Sequence, residues 1–338
     1  MTHPTPVSFR IAMRRTAGIV LAASAAIGLA ACAPASNASE SSDTRTYENE
    51  YGTVELPEQI DRIVSVDFYT PAALLDLGVT PVGVVNTYFT DTDGVAIPQE
   101  YTRAIADSDA QSIGEYYEIN LEAVAEADPD LIVATSDFLT MDDPLRAELE
   151  KVAPIVTFPA RDGESWRTRA TEMAKILDKE DELAPLDEAY NERRDEIIAK
   201  YGDLLTDRAY TVLVPQADEW GTYADTHFAT PILRDLGVTF REQQDDEVNE
   251  ALFPEWFSYE SIDRLSNADV IFILQSDDEI KQNLAKNTIY AGLPAVQNGL
   301  VFDYIPLSPT GSFGWASDNL EDLDALFAEV QQRVDAQA

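Results

Sequence analysis

The sequence predicts an α/β protein of two similar lobes, each with a mainly parallel sheet, bridged by one long rigid helix with a ligand cleft between them. Three observations carry that expectation. Short apolar runs alternate with amphipathic segments along most of the chain, the pattern of parallel strands with crossover helices. Residues 183–202 form a helix by periodicity, with Leu183, Leu186, Tyr190, Ile197, Ile198 and Tyr201 on one stripe and charges elsewhere. Pro185 is tolerable in its first turn, and Gly202 reads as its C-terminal stop. The segments flanking this helix echo each other in order. Leu74-Leu-Asp-Leu-Gly-Val-Thr80 returns as Leu233-Arg-Asp-Leu-Gly-Val-Thr239. Leu121-Glu-Ala-Val124 with Asp130-Leu-Ile-Val133 returns as Tyr259-Glu-Ser-Ile262 with Asp269-Val-Ile-Phe272. Two echoes in the same order point to two similarly built halves.

The expected divisions are 1–31, a signal peptide; 32–45, a tether; 46–178, an N-terminal lobe; 179–203, the interlobe helix; and 204–338, a C-terminal lobe. In the first lobe, strands are expected at 51–57, 62–66, 80–85, 130–134 and 154–158. Helices are expected from 71 to 78, over 121–127 and over 166–177. In the second lobe, strands are expected at 210–214, 269–274 and 299–302, with helices at 231–236, 258–265 and 320–334.

The first residues are built for export. Arg10, Arg14 and Arg15 precede an apolar, alanine-rich run that ends Leu29-Ala-Ala-Cys32. This resembles the lipobox of bacterial lipoproteins, which implies cleavage before Cys32 and a diacylglyceryl thioether on its sulfur. The alternatives are a retained anchor, for which the run is short, and a buried thiol at Cys32. The Arg14-Arg15 pair leaves Sec and twin-arginine export both open. Residues 33–43 are rich in Ala, Ser and Asn and read as a flexible tether.

Composition narrows the function. The formal net charge is −39, from 62 acidic and 23 basic residues, and three of the arginines lie in the acid-free first 31 positions. Nucleic acid is excluded as a partner, because phosphate binding needs clustered Lys and Arg. One cysteine allows no disulfide within the chain and no cysteine zinc site, and the two histidines, His3 and His227, leave little for a metal cluster. No Gly-x-Ser-x-Gly and no phosphate-cradling glycine loop occurs, so an enzyme is not expected, although a carboxylate pair is common enough in so acidic a chain to remain open. The expected strand ends are rich in aromatic residues. Tyr69, Tyr88, Phe89, Phe138, Trp220, Tyr223 and Tyr304 fall there, and Tyr116, Tyr117, Trp256, Phe313 and Trp315 fall in expected loops. Ligands of open α/β sheets bind beyond the carboxyl ends of strands, so these side chains suggest walls for a bulky, partly apolar ligand.

The chain resembles the solute-binding proteins that feed ABC importers of ferric siderophores, haem and cobalamin. The resemblance is carried by Arg62-Ile-Val-Ser-Val, Leu77-Gly-Val-Thr-Pro-Val-Gly83, Asn120-Leu-Glu-Ala-Val124, Pro129-Asp-Leu-Ile132, Tyr259-Glu-Ser-Ile262 and Leu293-Pro-Ala-Val-Gln-Asn-Gly-Leu-Val301. It implies a fold of two lobes on one stiff helix, with limited closure. It also implies that Glu122 and Glu260, one per lobe, dock onto arginines of a membrane permease; each is otherwise an ordinary first-turn acid. It places Tyr116 in the cleft at a position that is commonly Arg in hydroxamate-binding members and Trp in a cobalamin-binding one. The remaining candidates for ligand contact are Tyr88, Phe138, Trp220, Trp256, Phe313, Trp315 and Arg103, with Arg161 a further loop cation.

The function expected from this resemblance is a monomeric, lipid-anchored extracytoplasmic protein that captures a ferric siderophore and delivers it to a permease and its ATPase. The ligand's own oxygens wrap the iron, so neither a protein metal site nor a cofactor is needed. The acidity favours a neutral or cationic chelate over a trianionic catecholate. Haem or cobalamin on the same fold is the alternative, with Tyr116, Tyr88 or His227 as a possible axial ligand for haem.

Overall fold

The computed structural model describes residues 44–89, 97–160, 165–223, 230–240, 256–274, 278–304 and 311–337. Cys32, Arg161 and His227 lie outside them. The chain enters through a hairpin, Thr44–Asn49 against Gly52–Pro57, of which the sequence anticipated only the second strand. Tyr47 anchors it by donating its hydroxyl to Glu172, and Asn49 donates to the Thr157 carbonyl.

The N-terminal sheet has five parallel strands in the order Gln111–Ser112, Gly83–Val84, Ile63–Ser65, Leu131–Thr135 and Ile155–Phe158. The three longest are buried throughout, as strands covered on both faces must be. The C-terminal sheet is mixed. Tyr210–Pro215, Val270–Leu274 and Val301–Tyr304 run parallel, while Glu219–Tyr223 and Phe257–Ser258 add an antiparallel edge.

The repeat seen in the sequence is also a repeat in hydrogen bonding. Helix Thr70–Asp76 is followed by Gly78 at φ +70°, and helix Pro231–Asp235 by Gly237 at φ +75°. In the first, the Gly78 and Val79 amides donate to the Leu75 and Leu74 carbonyls; in the second, Gly237 and Val238 donate to Arg234 and Leu233. Both are glycine-terminated helix ends of the same kind. Asp130 and Asp269 repeat as well. The Asp130 carboxylate accepts from the Asp61 and Arg62 amides, and that of Asp269 from the Ala209 amide, each at the foot of a central strand.

The joining helix is longer than its apolar spacing suggested. It runs Glu180–Thr206 and passes through Gly202 without stopping. Beside it lies Phe313–Asp335, which begins well before the expected residue 320. The two helices run in the same direction, since Tyr190 meets Phe313 and Tyr201 meets Phe327 further along. Asp324 accepts from Arg193, Lys200 and Tyr201 across their seam, at 2.7–2.8 Å. The start of the second helix is bound to the N-terminal lobe. Asp76 accepts from the Ser312 hydroxyl, the Gly314 amide and the Tyr101 hydroxyl at 2.8–2.9 Å. Trp315 fills the core of that lobe among Val64, Ala72, Tyr101 and Ile132.

One apolar core runs through both lobes. It includes Ile63, Leu131 and Phe158 of the first sheet, Tyr190, Ile197 and Tyr201 of the joining helix, and Tyr210, Phe272 and Phe327 of the second lobe. Arg167 closes the seam between them. It pairs with Asp235 at 2.5 Å and Asp187 at 3.6 Å, and its guanidinium stands 4.5 Å from the Trp166 ring and 4.8 Å from that of Tyr190. Interiors packed in this way resist continuous deformation. No described helix is long and apolar enough to cross a membrane.

The three glycines separate backbone from packing effects. A Cβ at Gly78, Gly202 or Gly237 would meet no atom within 4 Å. Gly78→Ala and Gly237→Ala are each expected to cost roughly 1–2 kcal/mol, because only the left-handed backbone opposes them. Gly202→Ala is expected to stabilise by about 0.5–1 kcal/mol, as alanine does inside a helix. Urea unfolding of the three variants checks the opposite signs.

Candidate functional site

The carboxyl ends of the first lobe's central strands are pinned by a buried carboxylate. Asp67 lies just past Ile63–Ser65 and is fully buried. One of its oxygens accepts from the Tyr69 amide at 2.7 Å and the Thr70 amide at 2.8 Å; the other accepts from the Thr135 amide at 2.7 Å. Asp67 thus ties the end of the neighbouring strand Leu131–Thr135 to the loop that carries Phe68 and Tyr69. Burial pushes its carboxyl up from 3.8 to about 6, against the hydrogen bonds from Thr70 and Tyr69 and with a further push from Asp137.

Five rings gather above this clamp. Phe68 contacts Tyr69, Tyr116 and Phe138 at centroid distances of 4.4, 5.4 and 4.9 Å. Phe138 contacts Tyr116 edge-on at 5.4 Å and stacks with Tyr117 at 5.5 Å. Tyr116 and Tyr117 come from the connection between the short strands Gly114–Glu115 and Glu118–Ile119. Phe138 comes from the loop after Leu131–Thr135. Offset and edge-on contacts of this kind add to simple area burial. Tyr117 is 77% exposed, so its ring offers a free aromatic face backed by a braced cluster. Beneath, Arg169 is buried, with its guanidinium 5.4 Å from the Tyr69 ring and a bond to the Pro159 carbonyl.

Of the residues expected to touch ligand, the structure brings Tyr116 and Phe138 together in this wall. Tyr117, one of the loop aromatics expected to form a wall, joins them, and so does Phe68, which was not among the expected contacts. Trp256 lies in the other lobe, next to edge strand Phe257–Ser258, and is 38% exposed. No described ring contact joins it to the wall. The other four aromatic candidates are buried and lie outside this ring cluster. Tyr88 is 1% exposed and donates its hydroxyl to the Phe68 carbonyl, so it supports the wall from behind. Trp220 is fully buried, because it belongs to strand Glu219–Tyr223, and its indole N–H donates to the Ser258 carbonyl. Phe313 and Trp315 open a helix and pack into core, Phe313 against Trp166 and Tyr190, Trp315 within the first lobe. Arg103 is exposed on helix Gln99–Ala106 and donates to Gln99 of that helix.

Glu122 and Glu260 occupy equivalent places. Each is exposed and sits two residues past a capping side chain. Asn120 accepts from the Glu122 amide at 3.0 Å, and Ser258 from the Glu260 amide at 3.3 Å. Both acids therefore stand where the partial positive charge of a turn of helix favours them. Glu260 borders an open hollow of about 370 Å³ together with Asp218, Tyr259 and Lys286.

Two α/β lobes on a shared helical frame, with an aromatic wall at strand ends, define a solute-binding architecture. Residues 63–306 match the periplasmic binding protein family, and the chain belongs to it. It is a binding protein and not an enzyme. It is 27% identical over 275 residues to the Fe(3+)-citrate-binding protein YfmC of Bacillus subtilis, covering 79% of this chain and 80% of that one. It is 25% identical over 319 residues to the probable siderophore-binding lipoprotein YfiY of the same organism, covering 90% and 95%. The solved siderophore periplasmic binding protein from the fuscachelin gene cluster of Thermobifida fusca matches with a TM-score of 0.63 at 26% identity, over 81% of this chain and 98% of that one.

The clamp gives a pH test. The folded carboxyl of Asp67 titrates above its unfolded value of 3.8, so its contribution to stability is full below about pH 4 and is lost as pH rises to about 6. Asp67→Asn removes this titration and offers one oxygen where three backbone amides donate, at a cost of roughly 2 kcal/mol. In urea unfolding, the gap between wild type and variant is expected to be wider at pH 4 than at pH 7.

Proposed function

We propose that this protein captures a ferric siderophore outside the cell, held to the membrane by lipid on Cys32, and delivers it to an ABC import permease. The observation that carries the reading is the braced aromatic wall of Phe68, Tyr116, Tyr117 and Phe138 at the strand ends. A chelate whose iron is already enclosed needs no protein ligand to the metal; it needs apolar faces and phenolic hydroxyls, which such a wall supplies. The names of the relatives agree with an iron chelate as cargo, and YfiY is itself named a lipoprotein. Haem and cobalamin are the less favoured cargoes.

The two capped acids are read as permease contacts, and the hollow beside Glu260 would accept a basic side chain from the partner. Exposed charges of this kind act on encounter and orientation more than on affinity. The protein is read as a monomer, with the permease and its ATPase as the assembly it serves.

Titration of the detergent-solubilised full chain with ferric hydroxamate, ferric catecholate, haem and cobalamin tests the cargo. Saturable sub-micromolar quenching by a ferric siderophore is expected. Trp256 is the most exposed of the four tryptophans, so Trp256→Phe should remove most of the signal. Phe138→Ala should weaken binding about tenfold, as loss of a ring-to-ligand contact does. A haem absorbance band with no siderophore response would reverse the assignment. Glu122→Ala with Glu260→Ala should leave the binding titration unchanged yet abolish iron uptake by cells, and unimpaired uptake would remove the docking role.

A further inference from the structure

Among the described residues Tyr117 is the most exposed large apolar side chain, at 77%; Met141 follows at 49% and Phe89 at 40%. A loose loop is not the cause. Glu115 pairs with Glu118 across the short hairpin, so Tyr116 and Tyr117 are the two residues of a tight turn. Its base is held from both sides. Asn86 donates to the Glu115 carboxylate at 2.7 Å and accepts from the Ser112 hydroxyl. Behind the hairpin, the Asn120 amide donates to the Ile113 carbonyl at 2.8 Å. Gly114 stands at φ +103°, and a Cβ there would fall 2.5 Å from the Glu118 carbonyl oxygen, so the two arms close too tightly for any other residue. The ring is therefore held out in solvent on a fixed support. A face positioned in advance spares the ordering cost of binding.

The contacts of the exposed ring give it a direction. Phe138 is met edge-on by Phe68, Tyr69 and Tyr116, at interplanar angles of 72°, 62° and 85°. Of its described ring partners, only Tyr117 lies nearly parallel to it, at 29° and a centroid distance of 5.5 Å. Phe138 and Tyr117 thus form a column of two offset rings. Its inner end is closed by the cluster and its outer end is open to solvent. A flat aromatic ring continues such a column with the offset stacking that aromatic pairs prefer. An aliphatic chain laid on it buries area but has no ring to stack.

Resting on the siderophore reading above, we propose that Tyr117 is a specificity-determining residue that selects ferric chelates carrying an aromatic ring on their outer surface. One ring of the chelate stacks on the free face of Tyr117 and becomes the third member of the column. The chemical class this selects is an aryl-armed chelate, in preference to one built on aliphatic chains.

The test compares chelates that differ only in this ring. Ferric iron forms neutral tris-chelates with benzohydroxamate and with cyclohexanecarbohydroxamate. The two share donor oxygens, charge and ring size, and only the first has a flat aromatic ring. Each is titrated into the detergent-solubilised full chain with hydroxamate in excess, and the iron-free hydroxamate is the blank. Wild type is expected to bind the benzohydroxamate complex about fivefold more tightly, the size of one added aromatic pair. Burial alone predicts the opposite order, because the saturated ring has more apolar surface. Tyr117→Phe should keep the preference, and Tyr117→Leu should bring the ratio to one or below. An unchanged ratio in Tyr117→Leu overturns the proposal, and so does its loss in Tyr117→Phe. Equal or reversed binding by wild type overturns it without any variant. Failure of both complexes to bind a protein that does bind a ferric siderophore overturns it as well. Silence towards every chelate, siderophores included, overturns the siderophore reading itself, which is a different outcome from a missing aryl preference.

Discussion

The packing of helix Phe313–Asp335 along helix Glu180–Thr206 holds the two sheets in one frame. The first helix starts in the N-terminal lobe, where Asp76 binds its first turn, and ends beside the strands of the second lobe. The Arg167, Asp235 and Tyr190 group and the Asp324 group then fix the seam at two levels. Such a frame lets each sheet present its strand ends without a flexible hinge between them. A wall built on it is formed before ligand arrives, which spares the ordering cost of assembling it on binding.

The wall depends on the same frame through Asp67. A fully buried carboxylate would be costly by itself, but it meets backbone amides from beyond one strand and at the end of its neighbour. The cost is offset by locking the Phe68 and Tyr69 backbone, so five rings can brace each other over it. Tyr88 and Arg169, from elsewhere in the lobe, hold the underside. The outer face is left to Tyr117.

The repeat was readable because each half needs a left-handed residue where its first helix turns back, and only glycine takes that conformation cheaply. The strands were readable because buried parallel strands leave unbroken apolar runs. The antiparallel edge was not: with no strand expected at Glu219–Tyr223, Trp220 was read as lying beyond the end of the preceding strand, although a strand with one buried face hides alternate side chains. Phe313 and Trp315 misled for another reason. They precede the regular apolar spacing of their helix, and they are buried by the other lobe, so nothing local marks them as core. Gly202 looked like a stop because glycine is common there, yet the helix continues, held by its packing against the second helix. Phe138 was picked out by its position beyond a strand end and Tyr116 by the family resemblance; Phe68 and Asp67 were not picked out, since a loop acid and its neighbour carry no periodicity.

The account rests on the two lobes behaving as one body. Its direct test is an interlobe distance measured with and without ligand. Cys32 is the only cysteine, so in a Cys32→Ser background spin labels can be placed at Glu126→Cys and Asp263→Cys, both exposed and one in each lobe. Pulsed electron resonance is expected to give a single distance distribution whose mean moves by less than about 3 Å at saturating ferric chelate. A shift beyond about 5 Å, or two populations exchanging with ligand, would mean hinged closure and would contradict the shared frame.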